Sequence, residues 1–201
     1  SSASLPANPS VFVVKRILDL GASIVGLLLS LPFWPFIALA IAINSRGPIL
    51  FRQTRVGLHG HPFRIFKFRT MRVDAEKDGP QWAAEKDPRV TRIGAFLRTT
   101  RIDEIPQLIN VIKGEMTLVG PRPERPEFVA ELARELPYYE HRHLVPPGLT
   151  GWAQVRYRYG ASKEDALQKL QYDLYYVRHL SLMFDAEILL RTIPLVMKGS
   201  R

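Results

Sequence analysis

Cysteine is absent from the 201 residues. Its absence excludes disulfides and thiolate zinc centres, and it removes any clue to redox compartment. Histidine is sparse, with five copies. The pairs His59/His61 and His141/His143 are too small on their own to mark a metal centre and read as surface loop. Acid is also in short supply: 19 Asp and Glu stand against 28 Lys and Arg, a net charge of +9. Such a balance suits nucleic acid, anionic lipid or phosphorylated substrates. There is no internal repeat and no long low-complexity segment. The length allows one sizeable domain and hardly two.

Hydrophobicity, by contrast, is concentrated. Residues 1–10 are rich in Ser, Pro, Ala and Asn and read as a flexible leader, or as the edge of a piece cut from a longer protein. Lys15, Arg16 and Asp19 then precede an uncharged run from Leu20 to Ile43. As a straight helix that run would extend about 36 Å, enough for a bilayer core of about 30 Å. Three features oppose simple crossing. Pro32 and Pro35 interrupt the run at its middle. Ser30 sits beside the break, where its hydroxyl can satisfy a carbonyl. Basic residues flank both ends, which the positive-inside rule would keep on one side. A re-entrant hairpin meets all three; the alternatives are a kinked spanning helix and a hairpin buried in a soluble core.

Further on, Ile49–Gln53 and Phe63–Arg69 alternate apolar with polar and predict two short strands joined by a turn around Gly57–Pro62. The second strand carries Arg64, Lys67 and Arg69, a solvated face or a phosphate-binding one. Val73–Pro88, with Trp82, reads as loop. Ala95–Arg98 predicts a short helix, and Arg89, Arg92, Arg98 and Arg101 cluster around it. In residues 101–114, Ile105, Leu108, Ile109 and Ile112 recur at helical spacing, Pro106 suits the first turn, and Lys113 and Gly114 suit the end. On that wheel Asp103 falls opposite the apolar stripe and Glu104 on its flank, so neither is expected in the core. Alone, the pair reads as an N-cap and a first-turn acid complementing the dipole. A helix N-terminus also favours phosphate.

Met116–Val119 predicts a short strand leading into Gly120-Pro121-Arg122-Pro123, a stiff turn that aims Arg122 in a fixed direction, as bidentate phosphate capture requires. Pro126–Arg142 predicts an amphipathic helix broken near Pro137. Pro146–Val155 reads as a second stiff turn followed by a short strand. It contains Trp152, which either stacks on a nucleobase or belongs to the core. Leu167, Leu170, Leu174 and Val177 predict a helix from Lys163 to His179, and Asp185–Lys198 a last helix containing Pro194. Tyr172, Tyr175 and Tyr176 flank the former stripe and suit a membrane interface or a partner chain, so a homodimer is one expectation.

Six motifs in order, Lys15-Arg16-Ile17-Leu18-Asp19, Lys67-Phe68-Arg69-Thr70-Met71, Asp87-Pro88-Arg89-Val90-Thr91, Asp103-Glu104-Ile105-Pro106-Gln107, Gly120-Pro121-Arg122-Pro123 and Pro147-Gly148-Leu149-Thr150-Gly151-Trp152, resemble those of the bacterial sugar transferases, the polyprenol-phosphate phosphoglycosyl transferases. The resemblance covers roughly residues 11–198. Tyr172–Arg178 is similar to the large, multi-pass branch, of which this chain would be the catalytic C-terminal part. The implied fold is α+β, mainly helical with small β elements. It would be a monotopic membrane domain with a re-entrant hairpin (11–46), a cytoplasmic catalytic core (47–160) and C-terminal amphipathic, interfacial helices (161–201).

The resemblance implies transfer of a phosphosugar from a UDP-sugar, glucose or galactose by likeness, to undecaprenyl phosphate at the cytoplasmic face of the bacterial inner membrane, with release of UMP. It makes Asp103 the nucleophile and associates Glu104 with Mg²⁺. Lys67, Arg69, Arg98 and Arg122 would hold substrate phosphate, and Ser30 and Pro32 would break the membrane helix. The family's adjacent Ser-Pro is here Ser30-Leu31-Pro32. The bare chemistry agrees, because a carboxylate can take up a phosphoryl group and divide one difficult transfer into two, given cations to neutralise the meeting anions. Two other classes compete. A non-catalytic membrane scaffold would leave the Lys67, Arg98, Asp103, Glu104 and Arg122 set without a purpose. A nucleic-acid binder rests on net charge alone, and the hydrophobic run argues against it.

Overall fold

The structure is a computed structural model that describes residues 9–77, 79, 81, 87–157 and 163–197. Trp82, most of the leader and the last four residues lie outside the described part. The chain begins with α1 (Pro9–Ser30), a 3-10 turn (Leu31–Phe33) and α2 (Trp34–Asn44). The interruption falls at Pro32 and Pro35, where two backbone donors are missing. Ser30 Oγ donates to Leu27 O at 2.8 Å and accepts from Trp34 Nε1 at 3.2 Å, so the hydroxyl is consumed within the break.

These helices are built inside out. On α1 the buried residues are Lys15, Asp19 and Ser23, spaced four apart on one face, while Ile17, Leu18, Leu28 and Leu29 are exposed. On α2 Ile41 is buried, but Phe36, Leu39 and Ile43 are exposed. A helix in water would reverse that arrangement. Pro9–Asn44 is the one described segment long and apolar enough to cross a membrane. Both of its ends nevertheless grip the same globular body. Lys15 pairs with Asp185 at 2.5 Å, and Asp19 Oδ2 accepts from Thr117 Oγ1 at 2.5 Å. At the other end Ile41 packs with Phe68 and Leu97.

β1 (Leu50–Val56) and β2 (Pro62–Phe68) form an antiparallel hairpin with Gln53 opposite Ile65. α3 (Arg92–Thr99) starts at Thr91, whose side chain accepts from Gly94 N at 3.0 Å. Gly94 lies so close to Thr70 that a Cβ there would overlap the Thr70 backbone. Two of the sequence motifs are thereby pressed together, and Thr91 N donates to Thr70 O at 2.9 Å.

The stretch expected as one helix divides. Ile102–Gln107 is a 3-10 turn, and α4 (Leu108–Lys113) follows it, closed by Gly114 in the left-handed region. β3 (Thr117–Val119) runs parallel to β4 (Gly148–Thr150). A Cβ on Gly148 would overlap the Gly120 backbone, so this register needs glycine. α5 (Pro126–Glu135) ends before Pro137, and a 3-10 turn covers Tyr139–Leu144. The short strand expected within Pro146–Val155 is β4, and the rest of that stretch is the short helix α6 (Trp152–Arg156). α7 (Lys163–His179) and α8 (Leu182–Met197) complete the fold. The main core joins Val119, Val145, Tyr176, Val177, Leu180 and Ile188. Leu170 and Leu174 pack with Leu132 and Tyr139, so most of the α7 stripe is spent inside the chain itself. The domain is mainly helical with two small sheets, as the sequence implied.

Candidate active site

The site grows from a residue in an unfavourable conformation. Arg101 has φ 60° and ψ 11°, a left-handed geometry that costs a non-glycine residue free energy and marks functional turns. This bend and the tight 3-10 turn after it direct both acids inward. Asp103 is 6% exposed and Glu104 8%, contrary to the expectation of exposed acids on a helix end. A helical wheel describes one element. The burial comes from β2 and the turn after β3, which close over the acids from other parts of the chain. Asp103 is not an N-cap either: it lies inside the 3-10 turn.

Around Glu104 the cations converge. Lys67 Nζ and Arg122 Nη2 both donate to Glu104 Oε1 at 2.8 Å, and Arg101 Nη1 stands 3.5 Å from Oε2. Each comes from a different element: Lys67 from β2, Arg122 from the Gly-Pro-Arg-Pro turn, Arg101 from the loop after α3. Asn110 sets the spacing. It accepts from Phe66 N at 3.1 Å and donates to Arg64 O at 2.7 Å, which staples α4 to the strand bearing Lys67. Arg142 donates to Arg122 O at 2.8 Å and pairs with buried Asp173 at 2.8 Å, which fixes the turn that aims Arg122. Arg16 of α1 donates to Val111 O at 2.5 Å and Ile112 O at 2.8 Å, capping α4 from the hairpin. None of these three positioning residues was singled out from the sequence as part of the site. Arg16 falls in the first of the six motifs, while Asn110 and Arg142 carry no sequence signal beyond polarity at positions that the fold turns inward.

Asp103 is the contrast. Its Oδ1 is buried and has no hydrogen-bond partner among the described residues. An unpartnered buried oxygen is costly and rare. Burial pushes the Asp103 carboxyl up to about 6, with Glu104 adding to the rise and Lys67, Arg98 and Arg122 opposing it. Burial would raise Glu104 too, but Arg122, Lys67 and Arg101 together hold it well below the usual carboxylate range. Burial lowers Lys67, against the pull of Glu104. Two adjacent carboxyls are thus driven apart by their surroundings, a pattern that active sites favour.

Both acids line a cavity of about 1190 Å³ together with Lys67, Arg98 and Arg122. Its volume is slightly above the roughly 300–1,000 Å³ of ordinary ligand pockets. Arg98 commits Nε to Thr70 Oγ1 at 2.9 Å. Arg69 also borders the cavity, but Nη1 donates to Arg46 O at 3.0 Å and Nη2 to Ser45 O at 2.6 Å, so its guanidinium ties β2 to the end of α2. Trp152 sits elsewhere. Its ring meets Phe184 at 4.9 Å, with Arg156 and Arg191 over its faces. Ser30 and Pro32 stay in the helix break, remote in sequence from the cavity-lining elements.

Among the described residues no three carboxylates or imidazoles converge as metal ligands. Magnesium needs fewer, one or two carboxylates plus substrate phosphate. Glu104 Oε1 is taken by Lys67 and Arg122. Glu104 Oε2 and the unpartnered Asp103 Oδ1 are hard oxygen donors of the kind Mg²⁺ accepts, so the residues present fit that ion.

Known proteins are similar to this chain over most of its length. The family model for bacterial sugar transferases matches residues 10–199. Over 196 residues the chain is 43% identical to a UDP-N-acetylgalactosamine-undecaprenyl-phosphate N-acetylgalactosaminephosphotransferase of Aeromonas hydrophila, covering 98% of this chain and 46% of that protein. It is 41% identical over 185 residues to the UDP-glucose:undecaprenyl-phosphate glucose-1-phosphate transferase of Escherichia coli K12, covering 90% and 39%. The exopolysaccharide production protein PSS of Rhizobium leguminosarum is 42% identical over 187 residues, covering 90% of this chain and 94% of that protein. The chain therefore spans less than half of the two named transferases and nearly all of the third protein. With the match running from α1 to the end of α8, the chain belongs to the bacterial sugar transferase family.

Proposed function

We propose that this domain transfers a phosphosugar from a UDP-sugar to undecaprenyl phosphate and releases UMP. The observation that carries the reading is Asp103 Oδ1: buried, unpartnered, and beside a cationic cluster in a large cavity. The names of the relatives supply the substrate classes.

In this account the cavity holds the diphosphate against Lys67, Arg98 and Arg122. Glu104 would hold Mg²⁺. When bound, the ion neutralises phosphate charge so that a carboxylate can approach. The ionised Asp103 attacks the phosphorus that carries the sugar. A carboxylate O–P bond forms, the bond from that phosphorus to the bridging oxygen breaks, and the electron pair leaves with UMP. A phosphate oxygen of undecaprenyl phosphate then attacks the same phosphorus. The Asp103–P bond breaks, the carboxylate is restored, and the sugar departs on a lipid diphosphate. Arg122 stabilises charge best where it cannot swing, and the Pro-flanked turn and Arg142 prevent swinging.

The inside-out helices supply the setting. Their exposed apolar residues suit lipid, and both ends grip one body, which supports a re-entrant hairpin at the cytoplasmic face of the inner membrane. A 36-residue helix crossing straight through would put its ends roughly 54 Å apart. The test is UMP release by nanodisc-held protein with Mg²⁺, undecaprenyl phosphate and a panel of UDP-glucose, UDP-galactose and UDP-N-acetylgalactosamine. Release with one donor supports the reading and names the sugar. Folded protein that releases UMP from none contradicts it and leaves the scaffold reading.

A further inference from the structure

A second cavity, of about 240 Å³, opens on the far side of the same acid. It shares Arg101, Glu104 and Gln154 with the first cavity, so the two meet at one polar wall. Elsewhere its lining is mainly apolar, with Ile105, Leu108, Leu118, Leu149, Leu189 and Leu195 among the walls, and the two hydroxyls there, Thr150 and Thr192, bond each other at 2.8 Å. We propose that this groove receives the first isoprene units of the lipid acceptor, with its phosphate at the Arg101 end. The inference rests on the transferase reading and deepens it by giving the acceptor an entrance separate from that of the nucleotide sugar.

Two observations select a prenyl phosphate as the occupant. First, polarity changes along the groove as it does along the ligand: a cation and a carboxylate at one end, leucines beyond. Second, the groove lies between surfaces suited to lipid. Leu108 packs against α1, where a Cβ on Gly26 would stand 3.2 Å from Leu108 Cδ1. On the other side α8 exposes Leu189, Leu190, Ile193 and Val196. A chain leaving the groove either way meets apolar surface rather than water. A volume of 240 Å³ is on the order of eight water-sized groups, enough for the phosphate-proximal part of the chain and not for all of it. The remainder would stay in the bilayer beside α8. Two entrances that meet at Glu104 suit a two-step transfer, because donor and acceptor then approach one centre without competing for the same pocket.

The groove can be read independently of turnover. Nanodisc-held protein is irradiated with a prenyl monophosphate that carries a photoreactive group near its phosphate. The expected label falls within Arg101–Leu108, Gly148–Arg156 or Leu182–Met197 and disappears with excess undecaprenyl phosphate. Label confined to Pro9–Asn44, or label that the competitor leaves in place, overturns the proposal. In kinetics, Leu189→Gln, at a half-exposed rim position, is expected to raise the KM for undecaprenyl phosphate about tenfold and to leave the KM for the UDP-sugar where it was. An unmoved acceptor KM overturns the groove, and equal rises in both constants show a general structural fault and overturn it too. If wild-type protein releases no UMP from any donor, the transferase reading fails, and the crosslink still decides the groove.

Discussion

Two of the places where the molecule buries charge are built differently. Beneath α1, Lys15 meets Asp185, Tyr176 Oη donates to Asp185 at 2.7 Å and to Val119 O at 2.9 Å, and Asp19 accepts from Thr117 and from Leu118 N. Every carboxylate there is engaged. In the cavity, Glu104 is crowded by three cations while its neighbour Asp103 keeps an oxygen with no partner. The first cluster is a joint: it locks α1 to β3 and α8. The second bears an unmet demand that a substrate or ion can meet. Burial and charge alone do not separate a joint from a site. An unsatisfied carboxylate oxygen in a cavity does.

The comparison can be broken first at Asp103. Asp103→Asn is expected to cut UMP release by at least about 10³-fold, since the amide cannot serve as nucleophile. It should melt at or above the wild-type temperature at neutral pH. The folded-state carboxyl titrates near 6, above its unfolded value, so this group's contribution to stability falls as pH rises through that window. A clear loss of melting temperature would make Asp103 part of a joint. The reverse outcome is expected at Lys15→Met. It leaves Asp185 buried without its cation and costs about 3–5 kcal/mol in thermal or denaturant unfolding.

Arg122→Ala should be intermediate, costing about 10²-fold in kcat with little change in melting, because Lys67 still pairs with Glu104. An effect on melting as large as that of Lys15→Met would erase the distinction. The smallest expected effect is on pH dependence. For the free enzyme, kcat/KM should rise through about pH 6 as Asp103 ionises and be lost below it. Lys67 opposes the upward shift, so the residual activity of Lys67→Met should show its acidic limb at higher pH. A limb that moves down would mean that another group titrates.

Local pattern made some of this readable before the fold was known. Alternation gave the β1–β2 hairpin, and the leucine spacing gave α7 with the same two ends, Lys163 and His179. Pro32 and Pro35 gave the break between α1 and α2. Other features depend on contacts across the chain. Lys15 and Asp185 stand 170 residues apart, and nothing in either segment announces the other. The burial of Asp103 comes from elements that its own helical wheel omits. Trp152 packs on Phe184 of α8, a partner that its own segment does not announce. One signal was present and not used: Lys15, Asp19 and Ser23 fall four apart, a polar stripe on a helix otherwise fit for lipid, which signals a buried polar joint.

The central claim is that Asp103 takes the phosphosugar. Intact-mass measurement of the protein, mixed with Mg²⁺ and the UDP-sugar that supports turnover but without lipid acceptor, tests it most directly. The account predicts a shift of one phosphosugar unit. The shift should map to the peptide containing Asp103, be absent from Asp103→Asn, and disappear when undecaprenyl phosphate is added. Full turnover with no adduct at any time, or an adduct that persists in Asp103→Asn, would contradict it.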